Sequence, residues 1–263
     1  MRKPQLGGIT VKKKYGQHFL KDQSVIRSII SAVELTDDTS VFEIGCGEGI
    51  LTRAILQTPV KRLWVFEIDQ EWAEYVRTSV TDDRITIFNE NFLDVDLFGR
   101  LSEHQPWVLL ANLPYQVTFP ILHKLQAHRS LLKEGVIMIQ EEVAQKILKT
   151  SGRGYGYPSI FFQHYFIWKK LDKVLPSAFY PPPKVDSRLL YFKPKPDPGQ
   201  IPREEEFWNF IKHCFRQPRR TLRNNLQQTH YDVGMLSDKE LSLRAQQMSK
   251  DDLITIWKRL ITV

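Results

Sequence analysis

Cysteine is almost absent from this chain. Of 263 residues only Cys46 and Cys214 are cysteines, and neither has a partner at metal-ligand spacing. That composition excludes a disulfide scaffold and fits two reduced thiols in a cytoplasmic protein. Long apolar runs are missing as well: none approaches the ~20 residues that span a bilayer, so no membrane partner is expected. Residues 1–21 are basic, but no hydrophobic segment follows their basic residues, which argues against a secretory signal. An organellar transit peptide is the alternative that basic residues alone leave open.

Acid is absent from two stretches. Residues 1–21 carry Arg2, Lys3, Lys12, Lys13, Lys14 and Lys21, and residues 211–226 carry Lys212, Arg216, Arg219, Arg220 and Arg223. The whole chain has 37 Lys and Arg against 30 Asp and Glu, a net charge of +7, so everything outside those two stretches is net acidic. Concentrated positive charge suits a polyphosphate partner, because each neutralised phosphate releases condensed counterions. By charge alone, a solvated tail and a solvated helix face would look the same.

What the chain does have is alternation. Apolar runs at 39–44, 62–67, 85–88, 107–110 and 136–139 read as buried strands, with helical stretches such as 70–80 and 119–127 between them. Continuous apolar strands alternating with helices predict a parallel sheet covered on both faces. Two later runs, 165–168 and 187–191, are expected to close that sheet. Prolines then break all regular structure, since they fix φ and remove donors. The chain is therefore divided into a domain over 1–193 with a basic arm at 1–21, a linker at 194–200 and a small helical domain over 201–263. If Pro218 occupies the first turn of a helix there, Arg219, Arg220 and Arg223 lie together on one face.

Three segments carry chemistry. Glu43-Ile44-Gly45-Cys46-Gly47-Glu48-Gly49 follows the first strand and opens a helix. Its glycines, Gly45 and Gly47 above all, allow a sharp turn and close approach to a ligand. The Gly-x-Gly-x-Gly spacing lowers a dinucleotide reading, for which Gly-x-Gly-x-x-Gly is usual. An acid at the end of the second strand would accept hydrogen bonds from ribose hydroxyls. Glu67 stands there, about 20 residues after the glycine turn, with Asp69 the neighbouring candidate. Asn91, beyond the third strand, can accept from an exocyclic amine and donate to a ring nitrogen.

Asn112-Leu113-Pro114-Tyr115 follows the fourth strand, at the carboxyl edge where open α/β sheets place their chemistry. An aromatic amino nitrogen is a poor nucleophile because its lone pair is delocalised. Acceptance of its protons by the Asn112 side-chain oxygen and the Leu113 or Pro114 carbonyl would favour a pyramidal nitrogen. The freed lone pair could then attack the methyl of a sulfonium in line. Tyr115 would stack on the base and orient it. Neither a metal nor a strong general base is required.

Together these motifs resemble the KsgA/Dim family of small-subunit ribosomal RNA adenine dimethyltransferases, over nearly the whole chain. Gln17-His18-Phe19-Leu20 is similar to the family segment that closes over the methionine end of the cofactor, which implies cofactor contacts from Gln17, His18 and Leu20. Cys46 stands where many members carry proline, and Asn91 where the family usually has aspartate. In the run Ser177 to Ser187, the resemblance implies that Phe179 packs on the target adenine opposite Tyr115. Phe215 to Leu226 resembles the family's carboxyl-terminal basic segment, with Pro218 replacing a basic residue.

The resemblance implies a Rossmann-like, seven-stranded class I methyltransferase domain with a small C-terminal helical domain, and S-adenosylmethionine as methyl donor. It implies a substrate of two adjacent adenosines in a loop near the 3′ end of small-subunit ribosomal RNA, each dimethylated. A role in small-subunit biogenesis and a monomeric free state go with it. Lys12, Lys13, Lys14, Lys184, Arg219, Arg220 and Arg223 are the candidate RNA contacts. Two alternatives share the fold: an Erm-type enzyme acting on large-subunit RNA, and a non-catalytic assembly or transcription factor.

Overall fold

The structure, a computed structural model, describes residues 5–261; Arg2 and Lys3 of the basic arm lie outside the described residues. Seven strands form one sheet: β1 (Ser40–Ile44), β2 (Arg62–Phe66), β3 (Ile85–Phe88), β4 (Trp107–Asn112), β5 (Leu132–Gln140), β6 (Phe166–Val174) and β7 (Ser187–Pro194). Their spatial order is β3-β2-β1-β4-β5-β7-β6. The first five are parallel, and β7 runs antiparallel to β5 with Ser187 opposite Gln140. All five residues of β1 and the first five of β4 are buried, as expected where helices cover both faces of a parallel sheet.

Beside β1 the strand order reverses, with β2 on one side and β4 on the other. Open α/β sheets place their ligand crevice at the carboxyl ends of such strands. The glycine loop after β1 and the Asn112 segment after β4 therefore fall at one place.

Helices between strands include α1 (Gln23–Ser31), α2 (Ile50–Leu56), α3 (Gln70–Ser79), α4 (Leu97–Leu101), α5 (Thr118–Ala127) and α6 (Glu141–Leu148). Asp22 and Asp69 cap α1 and α3, accepting from the N–H groups of Ser24 and Glu71, which satisfies first-turn donors. The sheet core is built from Val41, Leu63, Val65, Val108, Leu110, Val136, Met138 and Leu189, all fully buried. The sequence caught only the start of β6. Lys169, Lys170, Asp172 and Lys173 interrupt its apolar pattern, which an exposed edge strand tolerates and even favours.

The described chain falls into two compact units: residues up to Ala144 with Ile167–Pro194, and Gln145–Phe166 with residues from Lys195 on. The second holds α7 (Tyr157–Tyr165), α8 (Glu204–Cys214), α9 (Leu222–Leu226), α10 (Asp238–Ser242) and α11 (Lys250–Leu260). Residues 145–166 thus belong with the helices that follow the prolines. On α8, Trp208 donates to the Tyr165 hydroxyl at 2.8 Å, and that hydroxyl donates to Glu204 at 2.6 Å.

One expectation is corrected here. Pro218 does not open a helix: α9 begins at Leu222, with Thr221 as its cap. Arg219 and Arg220 sit in the preceding turn, and only Arg223 is helical. The turn is held by buried Asn225, whose oxygen accepts from the Gln217 N–H at 3.0 Å. Its amide donates to the carbonyls of Gln217 and Arg220.

Candidate active site

The loop after β1 turns through Gly45 (φ 75°) and Gly47 (φ 51°). A Cβ on Gly47 would lie 2.7 Å from the Phe19 ring, so glycine is demanded there by both conformation and space. Glu67, 5 % exposed, closes the loop from the end of β2. Its two oxygens accept from the Gly47 N–H at 3.0 Å and the Asp69 N–H at 2.8 Å. The Cys46 thiol donates to it at 3.7 Å. Burial pushes the Glu67 carboxyl above its ordinary range, against these hydrogen bonds. Each oxygen still has lone-pair capacity for a hydroxyl.

Asp69, the neighbouring candidate, is otherwise engaged. It is 1 % exposed and accepts from Lys12 Nζ at 2.5 Å, Gln17 Nε2 at 2.8 Å and the Glu71 N–H at 3.2 Å. Lys12 also pairs with Glu71, and its N–H donates to Gln17 Oε1 at 2.7 Å. Val11 and Phe19 pack on Trp72. Residues 11–20 are thereby strapped across the start of α3.

A buried acid that sequence reasoning left unused lies under the loop. Glu43 is 1 % exposed, accepts from the Thr52 hydroxyl at 2.7 Å and lines the same cavity as Glu67. Burial pushes it up to about 8. The only signal in the sequence was an acid inside an otherwise apolar strand.

The reacting segment is fixed from several sides. Asn112 Nδ2 donates to the His18 carbonyl at 3.1 Å; a carbonyl can only accept, so this contact sets the amide orientation and leaves Oδ1 as an acceptor. The Leu113 N–H donates to the Met138 carbonyl at 3.1 Å. The Pro114 carbonyl accepts from the Val117 N–H at 3.2 Å and the Thr118 hydroxyl at 3.3 Å. Of the two carbonyls considered, Leu113's is therefore the one not already holding the turn. Tyr115 shares a 2.5 Å hydrogen bond with buried Ser187. Its ring stacks with His18 at a centroid distance of 5.8 Å and 28°, and burial raises its hydroxyl pKa.

One cavity of about 380 Å³ gathers most of the predicted residues: Lys14, Gln17, His18, Leu20, Gly45, Gly47, Glu67, Asn91, Asn112, Leu113, Pro114 and Tyr115. Its size lies within the ~300–1,000 Å³ of small-molecule sites. Asn91 arrives partly engaged: one Nδ2 proton goes to Asp94 at 2.8 Å and Oδ1 accepts from the Leu93 N–H at 3.2 Å, which leaves the second N–H for a ring nitrogen. One lone pair of Oδ1 remains for an exocyclic amine.

Other expectations are not met in this geometry. Phe179 is 1 % exposed and belongs to the core beneath the sheet. It pairs with Leu20 in a two-residue strand ladder that turns Phe179 inward and Tyr180, 37 % exposed, outward. Phe179 is absent from the cavity lining and packs in the core in this geometry. Lys12, grouped by charge with the RNA-facing lysines, has closed onto Asp69 and Glu71 instead. The Lys13 side chain lies outside the described part of the structure. Lys14 sits over the Tyr15 ring at 4.5 Å, and Lys184 is exposed. In the helical unit Arg219 and Arg220 are exposed with no ion pair among the described residues, whereas Arg223 pairs with Asp238 at 2.5 Å.

A seven-stranded sheet with a reversed strand beside its parallel five, a glycine loop closed by a strand-end acid and an Asn-Leu-Pro-Tyr turn across the switch point define a Rossmann-like class I methyltransferase. The chain belongs to the ribosomal RNA adenine dimethylase family, whose model matches residues 8–261. It is 36% identical over 253 residues to ribosomal RNA small subunit methyltransferase A of Prosthecochloris aestuarii, covering 96% of this chain and 95% of that protein. Two solved structures share the fold. A dimethyladenosine transferase from Plasmodium falciparum superposes with a TM-score of 0.77 at 23% identity, over 92% of this chain and 98% of that one. The 23S rRNA methyltransferase ErmE gives 0.71 at 22%, over 92% and 99%. Family and fold imply S-adenosylmethionine as the methyl donor. The Gly45–Gly47 turn facing a buried carboxylate with unspent lone pairs fits such a group.

Proposed function

We propose that this protein transfers methyl groups from S-adenosylmethionine to N6 of two adjacent adenosines in a loop near the 3′ end of small-subunit ribosomal RNA, two to each. The observation that carries the reading is the Asn112 amide, whose Nδ2 is taken by the His18 carbonyl, leaving Oδ1 as the acceptor of a residue that lines the same cavity as Glu67. The 36% identity to a small-subunit methyltransferase over 96% of the chain supports the choice of RNA. It favours this reading over the Erm type, whose likeness to this chain is one of fold.

S-adenosylmethionine, when bound, supplies an electrophilic methyl on a sulfonium. Glu67 would accept the ribose hydroxyls, Gly45 and Gly47 would let the backbone approach, and the Asn91 oxygen would accept from the cofactor's adenine amine. Gln17, His18 and Leu20 would bound the methionine end. Asn112 Oδ1 and the Leu113 carbonyl would accept the two N6 protons of the target in the first transfer, and one of these acceptors would take the single remaining N–H in the second. This draws the nitrogen lone pair out of conjugation and aims it at the methyl. The methyl would pass from sulfur to nitrogen, the S–C bond breaking as the N–C bond forms, and the surplus amino proton would leave to water. Tyr115, fixed by Ser187, supplies the stacking face. The protein acts in the cytoplasm, as a monomer when free, during small-subunit biogenesis.

The test is mass spectrometry of small- and large-subunit RNA after incubation with isotopically labelled S-adenosylmethionine. Dimethyladenosine in the small subunit is expected; label confined to the large subunit would replace this reading with the Erm type. Asn112→Ala should abolish transfer while RNA binding stays within about twofold, because the only RNA contact assigned to Asn112 is with the reacting amino group.

A further inference from the structure

We propose that the His18 imidazole holds the place of the target adenine on the Tyr115 ring until RNA delivers the base. This rests on the reading above that Tyr115 faces the target. His18 has two separable attachments. Its backbone carbonyl accepts from Asn112 Nδ2 at 3.1 Å. Among the described residues its ring is held through Nδ1, which donates to the Pro181 carbonyl at 2.7 Å, and through the stack on Tyr115. Because a carbonyl cannot donate, Nδ1 carries the proton.

The stack leaves no room for a third ring. Two aromatic layers either side of a base need a separation of ~7 Å, and the His18 and Tyr115 centroids are 5.8 Å apart. Imidazole and adenine are therefore exclusive occupants of that face in this geometry. Of the two rings, Tyr115 is the fixed one: its hydroxyl is bonded to fully buried Ser187, which lies on β7. His18 is half-buried and can rotate away about its side-chain bonds while its carbonyl keeps the Asn112 amide oriented. The reactive acceptor thus survives the exchange.

The consequence is selectivity. A base must displace the imidazole, so only one presented by docked RNA reacts efficiently.

The experiment compares kcat/KM for unmethylated small ribosomal subunits in the wild type, His18→Ala and His18→Asn. S-adenosylmethionine affinity is measured alongside by calorimetry. Asparagine keeps a donor for Pro181 but no ring, and it guards against a folding defect in the alanine variant. Removing the competing stack should raise kcat/KM about two- to tenfold in both variants, the worth of one aromatic pair. Rates are compared at saturating S-adenosylmethionine, so that a loss of cofactor affinity at a residue that also bounds the methionine end does not enter the comparison. A purely structural ring, or a wall that helps grip the base, would lower kcat/KM instead; an unchanged or reduced value in both variants overturns the proposal. Absence of methyl transfer by the wild type in the same assay would sink the proposed function itself, and this inference with it.

Discussion

Glu43 shows how much one buried carboxyl can cost and where that cost appears. Burial raises it to about 8; the Thr52 hydroxyl opposes the rise and the Glu67 charge adds to it. The folded-state value lies above the ordinary 4.5, so the neutral form is the one folding favours. Its stabilising contribution is complete below pH 4.5 and is lost as pH rises through about 8. At ~1.4 kcal/mol per unit of displacement, the loss across that window is a few kcal/mol. Glu43→Gln keeps an acceptor for Thr52 and cannot ionise. Its melting temperature should therefore fall less steeply than the wild type's between pH 5 and 9. Parallel curves would show that Glu43 is not the group titrating.

Also at the residue scale, the sequence shows Glu67 and Asn112 plainly, because each stands at a fixed place after a buried strand. Glu67 is preferred to Asp69 because it falls nearer the strand end, and the strap that occupies Asp69 agrees with that choice. Phe179 shows the limit of such inference. A two-residue ladder decides which of two adjacent aromatics faces out, and no periodicity reveals a ladder that short.

Elements differ in how far pattern betrays them. The five parallel strands were legible because burial on both faces makes them continuously apolar. β6 was half-hidden by its charges, and the start of α9 was misread because Pro218 lies in a turn stabilised from elsewhere, by Asn225. That turn gives an expected outcome. Asn225→Ala removes three hydrogen bonds from a buried amide, two of them accepted by backbone carbonyls. It should destabilise the helical unit by about 2 kcal/mol, read as a lower denaturation midpoint with faster amide exchange around 217–220. Unaltered exchange there would mean that the turn is held without Asn225. The strap gives another. Lys12→Met leaves buried Asp69 without its cation and should cost about 1.5 kcal/mol. Since that ammonium is already spent on Asp69 and Glu71, the salt dependence of RNA binding should not change. A shallower slope would show that Lys12 meets phosphate after all.

For the molecule as a whole, charge is the property that sequence reports best in amount and worst in availability. Composition locates an acid-free stretch over residues 211–226, but it treats its cations as equal. Folding makes them unequal. Arg219 and Arg220 are exposed without an ion pair among the described residues, while Arg223 faces Asp238, a residue from outside the stretch. Each phosphate neutralised on a single strand contributes ~0.7 to the slope of log K against log salt. Replacing Arg219 and Arg220 together by alanine should thus flatten that slope by about 1.4 if each meets one phosphate. Arg223→Ala should change it less, since its partner already screens it. Asp238→Ala should have the opposite sign, steepening the slope as Arg223 is released. Filter binding of small-subunit RNA between 50 and 200 mM salt, a range over which phosphate contacts dominate the change in affinity, reads all three variants. Equal slopes for wild type and the Arg219/Arg220 double variant would place the RNA on another surface. A flat response to Asp238→Ala alone would mean that Arg223 points away from phosphate even when it is unpaired.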